Sequence, residues 1–239
     1  MRKLLYPLIF LLAFSAYTQS INYVLEEEYL EYKKNGILYY KGTPFNGKTF
    51  SLHSNGELKD KQGYKNGISN GVKWYYTNGQ LEKKVNKRII KRYHYNGQLR
   101  SKEKYKNAIR NSGKWYYSNG QLNTKGKYKD GKEDGLWEYY LKDGQLNSKG
   151  KYKDGKEDGL WEEYYTNGQL NKKGKYKDGK EDGLWEYYLK DGQFLKLKFK
   201  DGEMDEWFEA YSEDGQLIIN EEELNKLLDK LWKSMFSNF

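Results

Sequence analysis

The 239-residue chain has two histidines, His53 and His94, and no cysteine. Nucleophilic or zinc chemistry needs an imidazole or thiolate beside a second polar group. Each histidine instead stands three residues before a turn glycine (Gly56 and Gly97), in the slot held elsewhere by Tyr76, Tyr117 and Tyr165. They read as substitutions in an aromatic strand, and the chain reads as non-catalytic, without metal or cofactor. Carboxylates do gather in residues 130–135, 154–159 and 178–183, with Asp154, Glu157 and Asp158 in the middle copy. Calcium is the chemistry such oxygens could do. Against it, Lys156 sits among the acids and the alternate-residue acid spacing is missing. Turn chemistry, with glycine at positive φ and aspartate tolerating it, explains these residues better.

Two further sets of residues suit recognition. Trp137, Trp161 and Trp185 recur seven residues before a turn glycine, and Trp115 lies five before its own. With Tyr140, Tyr164 and Tyr188 they form an aromatic ladder, the candidate partner-binding face. Tryptophan beside a strand glycine also packs across the pair, so the ladder divides between stabilising the sheet and binding. The second set is electrostatic. Residues 83–114 hold twelve Lys/Arg against Glu103 alone, and residues 201–239 hold eleven acids against three lysines. Lys87, Arg88, Lys91, Arg92 and Arg100 mark the candidate basic patch. It reads as a contact for a protein or an envelope polyanion and not for nucleic acid, because an exported chain seldom meets nucleic acid. Charge asymmetry of this size can also steer a partner or a second copy; the oligomeric state is left open.

The elements that position these residues are set by punctuation. Turns of the form Asn/Asp-Gly-Gln/Glu-Leu/Phe carry Gly56, Gly79, Gly97, Gly120, Gly144, Gly168, Gly192 and Gly215, separated by 23, 18, 23, 24, 24, 24 and 23 residues. Asn-Gly or Asp-Gly between β-prone runs signals a hairpin, since both residues tolerate φ > 0. An aromatic strand precedes each turn and a polar alternating strand comes after it. The acidic stretch, for example residues 177–183, is expected as the loop that returns to the next aromatic strand. Fourteen residues, KGKYKDGKEDGLWE, begin identically at Lys125, Lys149 and Lys173. A period of this length means stacked units, none able to bury a core alone. The fold class is therefore all-β: an extended, single-layer antiparallel meander of β-hairpin repeats over residues 19–219. Aromatics at 17% argue against the disorder that 32% charged residues would otherwise suggest.

Both ends differ from the array. Arg2 and Lys3 precede an apolar run from Leu4 to Ala16, followed by Ala16-Tyr17-Thr18, the layout of a signal peptide over residues 1–18. The run is too short for a transmembrane helix. The expected location is outside the cytosol: periplasm, cell envelope or extracellular space. Residues 220–239 open on Asn220 as N-cap and Glu221, Glu222 and Glu223 in the first turn. Leu224, Leu227, Leu228, Leu231, Trp232, Met235 and Phe236 then form one apolar stripe. The helix is expected to cap the last hairpin, whose edge would otherwise recruit another strand.

The unit Gly-x-Trp-Glu, paired tyrosines, [ND]-Gly-Gln-Leu and Lys-Gly-x-Tyr-Lys-Asp-Gly, as at residues 135–155 and 159–179, resembles the variant MORN repeat. Arrays of it resemble the YwqK-type antitoxin family over about residues 30–217. The resemblance implies a MORN-like sheet and a binding protein that neutralises a partner toxin, or a protein scaffold, with no catalytic residues. Residues 114–120 (KWYYSNG) are similar to the W-Y-Y…G core of choline- and glucan-binding repeats, which implies an alternative: recognition of an envelope carbohydrate or lipid headgroup by the aromatic ladder.

Overall fold

The computed structural model describes residues 29–218 and 220–236; the apolar run read as a signal peptide lies outside them. The chain divides into two units. The first runs to Lys87 and takes in Tyr95–Gly97; the second comprises Arg88–His94 and Gln98 onward.

The first unit opens with a small antiparallel sheet of Leu30–Tyr32, Leu38–Tyr40 and Thr43–Pro44. Pro44 ends a short strand, and Lys41-Gly42 make the turn with positive φ at both residues. Leu38 and Phe45 bury against Tyr64. Strands Gly47–Leu52, Leu58–Lys65, Ile68–Tyr75 and Leu81–Asn86 come next in a second sheet, each of the last three antiparallel to the one before.

The second unit is also an antiparallel meander, its strands in chain order from Ile89–Tyr93 to Glu203–Tyr211. Its regular repeats pair an aromatic strand such as Lys156–Tyr164 with a polar one such as Leu170–Lys177.

Two different turns alternate. At Asn167-Gly168 the Tyr165 N–H donates to the Gln169 carbonyl (2.8 Å) and the Gly168 N–H to the Tyr165 carbonyl (2.9 Å). Only Gly168 has positive φ (85°), while the Asn167 side chain accepts the Gln169 N–H at 3.0 Å. This is a type I turn closed by a glycine bulge. The two-residue turn with φ > 0 at both centres is Lys-Asp-Gly-Lys: Asp154 and Gly155 sit at 51° and 86°, and Lys153 pairs with Lys156. The stretch expected as a seven-residue loop is therefore a tight hairpin, with Asp154 in the turn and Glu157 and Asp158 already in the strand. In the last copy residues 180–181 already pair with Tyr176 and Lys177. Asp134 and Asp158 fall at register shifts, where the aromatic strand takes four steps against two on its partner.

Both rows of turns bond along the array. Asn119 Nδ2 donates to the Lys142 carbonyl (2.7 Å) and the Tyr165 hydroxyl to the Tyr188 carbonyl (2.7 Å). On the other edge, the Gly179 N–H donates to the Glu157 carbonyl at 2.8 Å. The histidines join this scheme. His53 Nε2 donates to the Tyr75 carbonyl (2.8 Å) and His94 Nε2 to the Tyr116 carbonyl (2.9 Å), the role a tyrosine hydroxyl plays elsewhere.

The core is one sheet face. Each tryptophan ring lies over a glycine: Trp137 on Gly126, Trp161 on Gly150, Trp185 on Gly174. Tyr128, Tyr152 and Tyr176 meet these rings edge-on. Trp137 and Trp185 donate their indole N–H to the Lys127 and Lys175 carbonyls, both at 3.1 Å, so burial leaves no polar atom unmatched there. The helix Glu221–Phe236 completes the layer. Asn220 Oδ1 caps it through the Glu222 N–H (2.9 Å), and Leu227 and Leu231 bury with Trp185, Tyr187, Leu195 and Ala210. Leu228, at 37% exposure, marks the margin of the stripe. Lys230 reaches Asp191 (2.9 Å) and Gln193 (2.7 Å) in a neighbouring turn. The helix thus covers the aromatic face of the last repeats. It was expected to cover the sheet's edge, but its stripe needs a surface as wide as itself, and a strand edge offers only backbone.

Two outcomes check this packing. Gly150→Ala puts a methyl where the Trp161 ring lies and should destabilise the protein by about 1–3 kcal/mol, read by denaturant melts, because the ring is enclosed on its other side. Leu227→Ala and Leu231→Ala should each cost about 2–5 kcal/mol, and truncation after Asn220 should cause oligomerisation, seen by light scattering, while the far-UV signal of the inner repeats persists. A truncated chain that stays monomeric and equally stable would show that the helix covers nothing.

Candidate functional site

Residues alternate across a strand, so Trp137 and Tyr140, three apart, cannot share a face. The ladder read as one surface is two. Trp137, Trp161 and Trp185 are 4%, 7% and 0% exposed within the aromatic layer, and Trp115 is half-buried with its ring folded over Gly113. Enclosed on glycine, they pack the sheet. Tyr140, Tyr164 and Tyr188 lie on the opposite face, with Leu136, Leu160 and Leu184 and the polar side chains of the neighbouring strands.

This open face carries a regular electrostatic row. Lys125, Glu138, Lys149, Glu162, Lys173, Glu186, Lys196 and Glu209 are successive cross-strand partners, one per strand. Lys125 reaches Glu138 at 2.7 Å, Lys149 reaches Glu162 at 2.8 Å and Lys173 reaches Glu186 at 2.8 Å. Within each strand a tyrosine two residues on donates to the same carboxylate: Tyr140 to Glu138 (3.2 Å), Tyr164 to Glu162 and Tyr188 to Glu186. The lysine ammoniums also lie over these tyrosine rings. Each carboxylate therefore accepts from one lysine and one phenol. Partial burial pushes the Glu162 carboxyl up, but the Lys149 ammonium and the Tyr164 hydroxyl outweigh it and hold the group below the usual carboxylate range. Hydrogen bonds to Glu162 and Tyr164 raise Lys149 above the ordinary lysine value.

The basic segment departs from this pattern on both faces. On the aromatic face, Glu103 takes the position of Gly126 and Gly150 and is 2% exposed. Arg92 and Arg110 converge on it, Arg110 Nε at 3.0 Å, and Ser101 and Tyr105 hydroxyls donate at 3.1 and 3.0 Å. Where a tryptophan would have stacked, Gly113 leaves room, so an ion cluster fills the gap. Arg92 of the candidate patch is thus spent on Glu103. Lys87 is a turn residue with φ of 47°, Arg88 and Arg100 are exposed, and the Arg88 carbonyl accepts the Tyr105 N–H at 2.8 Å. On the open face Lys91 pairs with Lys102, Lys102 with Lys114, and Lys114 with Lys125: lysine where later repeats alternate with glutamate.

Sequence reasoning missed two sets here. The leucines Leu136, Leu160 and Leu184, 51%, 47% and 43% exposed, precede each tryptophan, a signal visible as Gly-Leu-Trp. The lysine–glutamate row needed the register between strands. The acidic stretches split up: Asp154 is in a turn, and the Glu157 carboxylate accepts from the Tyr152 hydroxyl at 3.5 Å. Among the described residues no three metal-ligating side chains converge, and no helix is long and apolar enough to cross a membrane.

The row predicts a pH dependence. Depressed glutamates contribute stability that is present above their unfolded value, about 4.3, and lost as pH falls through the lower folded value. Raised lysines contribute below their unfolded value, about 10.4, and lose it as pH rises through the higher folded one. The melting-temperature gap between the wild type and a Lys149→Gln/Glu162→Gln double variant should be constant from about pH 5 to 10 and close on both sides. A gap independent of pH would show that charge does not act there.

Comparison with known proteins matches the repeat. Residues 72–86, 89–107, 112–130, 133–154 and 157–178 each match the family model of the MORN repeat variant. No curated protein matches. Among solved structures the chain is similar to one in the "Crystal structure of GtfA/B complex bound to UDP and GlcNAc", at 19% identity and a TM-score of 0.23, over 46% of this chain. The chain spans 26% of that protein. The regular matches run from one Asp-Gly turn to the next, so each unit is an aromatic strand, a bulged turn and a polar strand. Between residues 72 and 178, five segments of the chain match the MORN repeat variant.

Proposed function

We propose that this is an exported, non-catalytic repeat protein whose open sheet face binds another protein, as an envelope scaffold or as an immunity-type neutraliser of a toxin. One observation carries the reading. Leu136, Leu160 and Leu184 repeat at 24-residue intervals on the open face and remain about half exposed although each neighbours a fully packed tryptophan. Apolar side chains in line, rimmed by the cross-strand partners Lys151, Lys175 and Lys198, have the composition of a protein interface: an apolar centre and a polar rim. Arrays of this kind offer extended surfaces because each unit adds the same patch. Export rests on the basic and apolar N-terminus, and the toxin reading on the resemblance to YwqK-type antitoxins.

The test is capture of a stoichiometric partner from envelope extract by the full chain, repeated with Leu136→Ser/Leu160→Ser/Leu184→Ser. Because these leucines are exposed, the triple variant should melt like the wild type and lose the partner. Retention of the partner by the variant would move the interface elsewhere, and a glycan or lipid array positive for the wild type would replace a protein partner with an envelope one.

A further inference from the structure

We infer that the lysine row of the degenerate repeats binds a linear chain of phosphate groups. The observation is internal to the molecule. In the regular repeats a carboxylate sits between two lysines of flanking strands and accepts from a tyrosine on its own strand, as Glu162 does between Lys149 and Lys173 with Tyr164. In the Ile109–Tyr116 strand the flanking lysines, Lys102 and Lys125, and the tyrosine, Tyr116, are kept, but the carboxylate position is Lys114. Among the described residues, Lys91, Lys102 and Lys114 have no carboxylate partner. Like charges opposite one another on a sheet destabilise it. The cradle for an anionic oxygen is therefore present while its own anion is missing, and an anion from outside would relieve the repulsion.

The site is also shaped to take one. Lys102, Lys114, Lys125 and Tyr116 line an open hollow of about 460 Å³, joined by Lys104 and Lys127, cross-strand partners of Ser112; Glu138, which pairs with Lys125, also lines it and leaves five lysines against one carboxylate. Its chemistry suits phosphate, which lysine binds as a point charge without the fork geometry that arginine supplies. Arg92 and Arg110 are held on the other face by Glu103, and the cations lining the hollow are lysines. From Lys91 to Lys125 the row crosses three strand spacings of about 4.8 Å, roughly 14 Å in all. That length exceeds one phosphate and suits several in succession. Tyr116 is the aromatic ring lining the hollow, too few to stack successive bases, so the chain need not be a nucleic acid.

Phosphate binding goes beyond the leucine surface and fails separately from it. The probe is fluorescently labelled inorganic polyphosphate, titrated into the full chain and followed by anisotropy at several salt concentrations. Lys114→Glu would complete the alternating row with Lys102 and Lys125. It should weaken binding about tenfold and flatten the salt dependence, while melting no lower than the wild type. Lys173→Gln, in the paired half, should melt lower yet bind like the wild type. If Lys114→Glu fails to fold, Lys102→Gln, which removes one unpaired charge, should still weaken binding. The inference is overturned if the wild type does not bind polyphosphate, or if both row variants bind as well as the wild type. It is equally overturned if polyglutamate, single-stranded DNA or vesicles containing phosphatidylglycerol compete better than polyphosphate at equal charge.

Discussion

A tryptophan ring lying flat on a strand glycine is the contact on which the rest of this protein depends. A single sheet has no second layer to bury side chains against, so its core must be made within one face. Glycine at 126, 150 and 174 removes the Cβ that would lift the indole away, and the ring of the next strand settles onto bare backbone. Tyrosines from flanking strands then close the sides edge-on, the arrangement that ring quadrupoles favour. Trp137 and Trp161 are only 4% and 7% exposed in this way, and Trp185, which Leu227 and Leu231 of the helix also cover, reaches zero. Burying apolar surface at about 25 cal/mol per Å² makes such rings the main apolar gain of each repeat.

That packing sorts everything else by the pleat. Once tryptophan is fixed to one side, the leucine before it and the glutamate after it must face the other. The open face therefore inherits the same 24-residue period, with leucines, lysines, glutamates and tyrosines each in a line. The bulged Asn-Gly turn and the tight Asp-Gly turn keep this register from one repeat to the next, through hydrogen bonds that run along both edges. The C-terminal helix belongs to the same logic. It covers the aromatic side, where Leu195 and Ala210 would leave apolar surface open.

Where the packing contact is absent, in the degenerate repeat, the sheet solves the same problem with ions. Glutamate at 103 cannot sit under an indole, and the position of the ring is taken by Gly113. A buried carboxylate needs partners, and Arg92 and Arg110 supply them, with two hydroxyls filling its remaining acceptor sites. Two of the segment's guanidiniums, Arg92 and Arg110, are thereby held on the packed side, while the ammoniums of Lys91, Lys102 and Lys114 stay on the open one.

Local signals decided a good deal by themselves. The identical segments at Lys125, Lys149 and Lys173, the glycine spacing and the alternation within Gln169–Tyr176 were enough for a hairpin array, and Asn220 with its glutamates and leucines was enough for a capped helix. Each depends on contacts between near neighbours, which a one-dimensional pattern records. Which Asp-Gly or Asn-Gly pair makes which turn was not legible, because both dipeptides accept both geometries and the register of the paired strands selects one. The side on which Trp137 and Tyr140 fall, the pairing of Lys149 with Glu162, and the burial of Glu103 by two arginines all join residues on different strands. Those pairings exist only once cross-strand register is set, and that register is a property of the folded sheet.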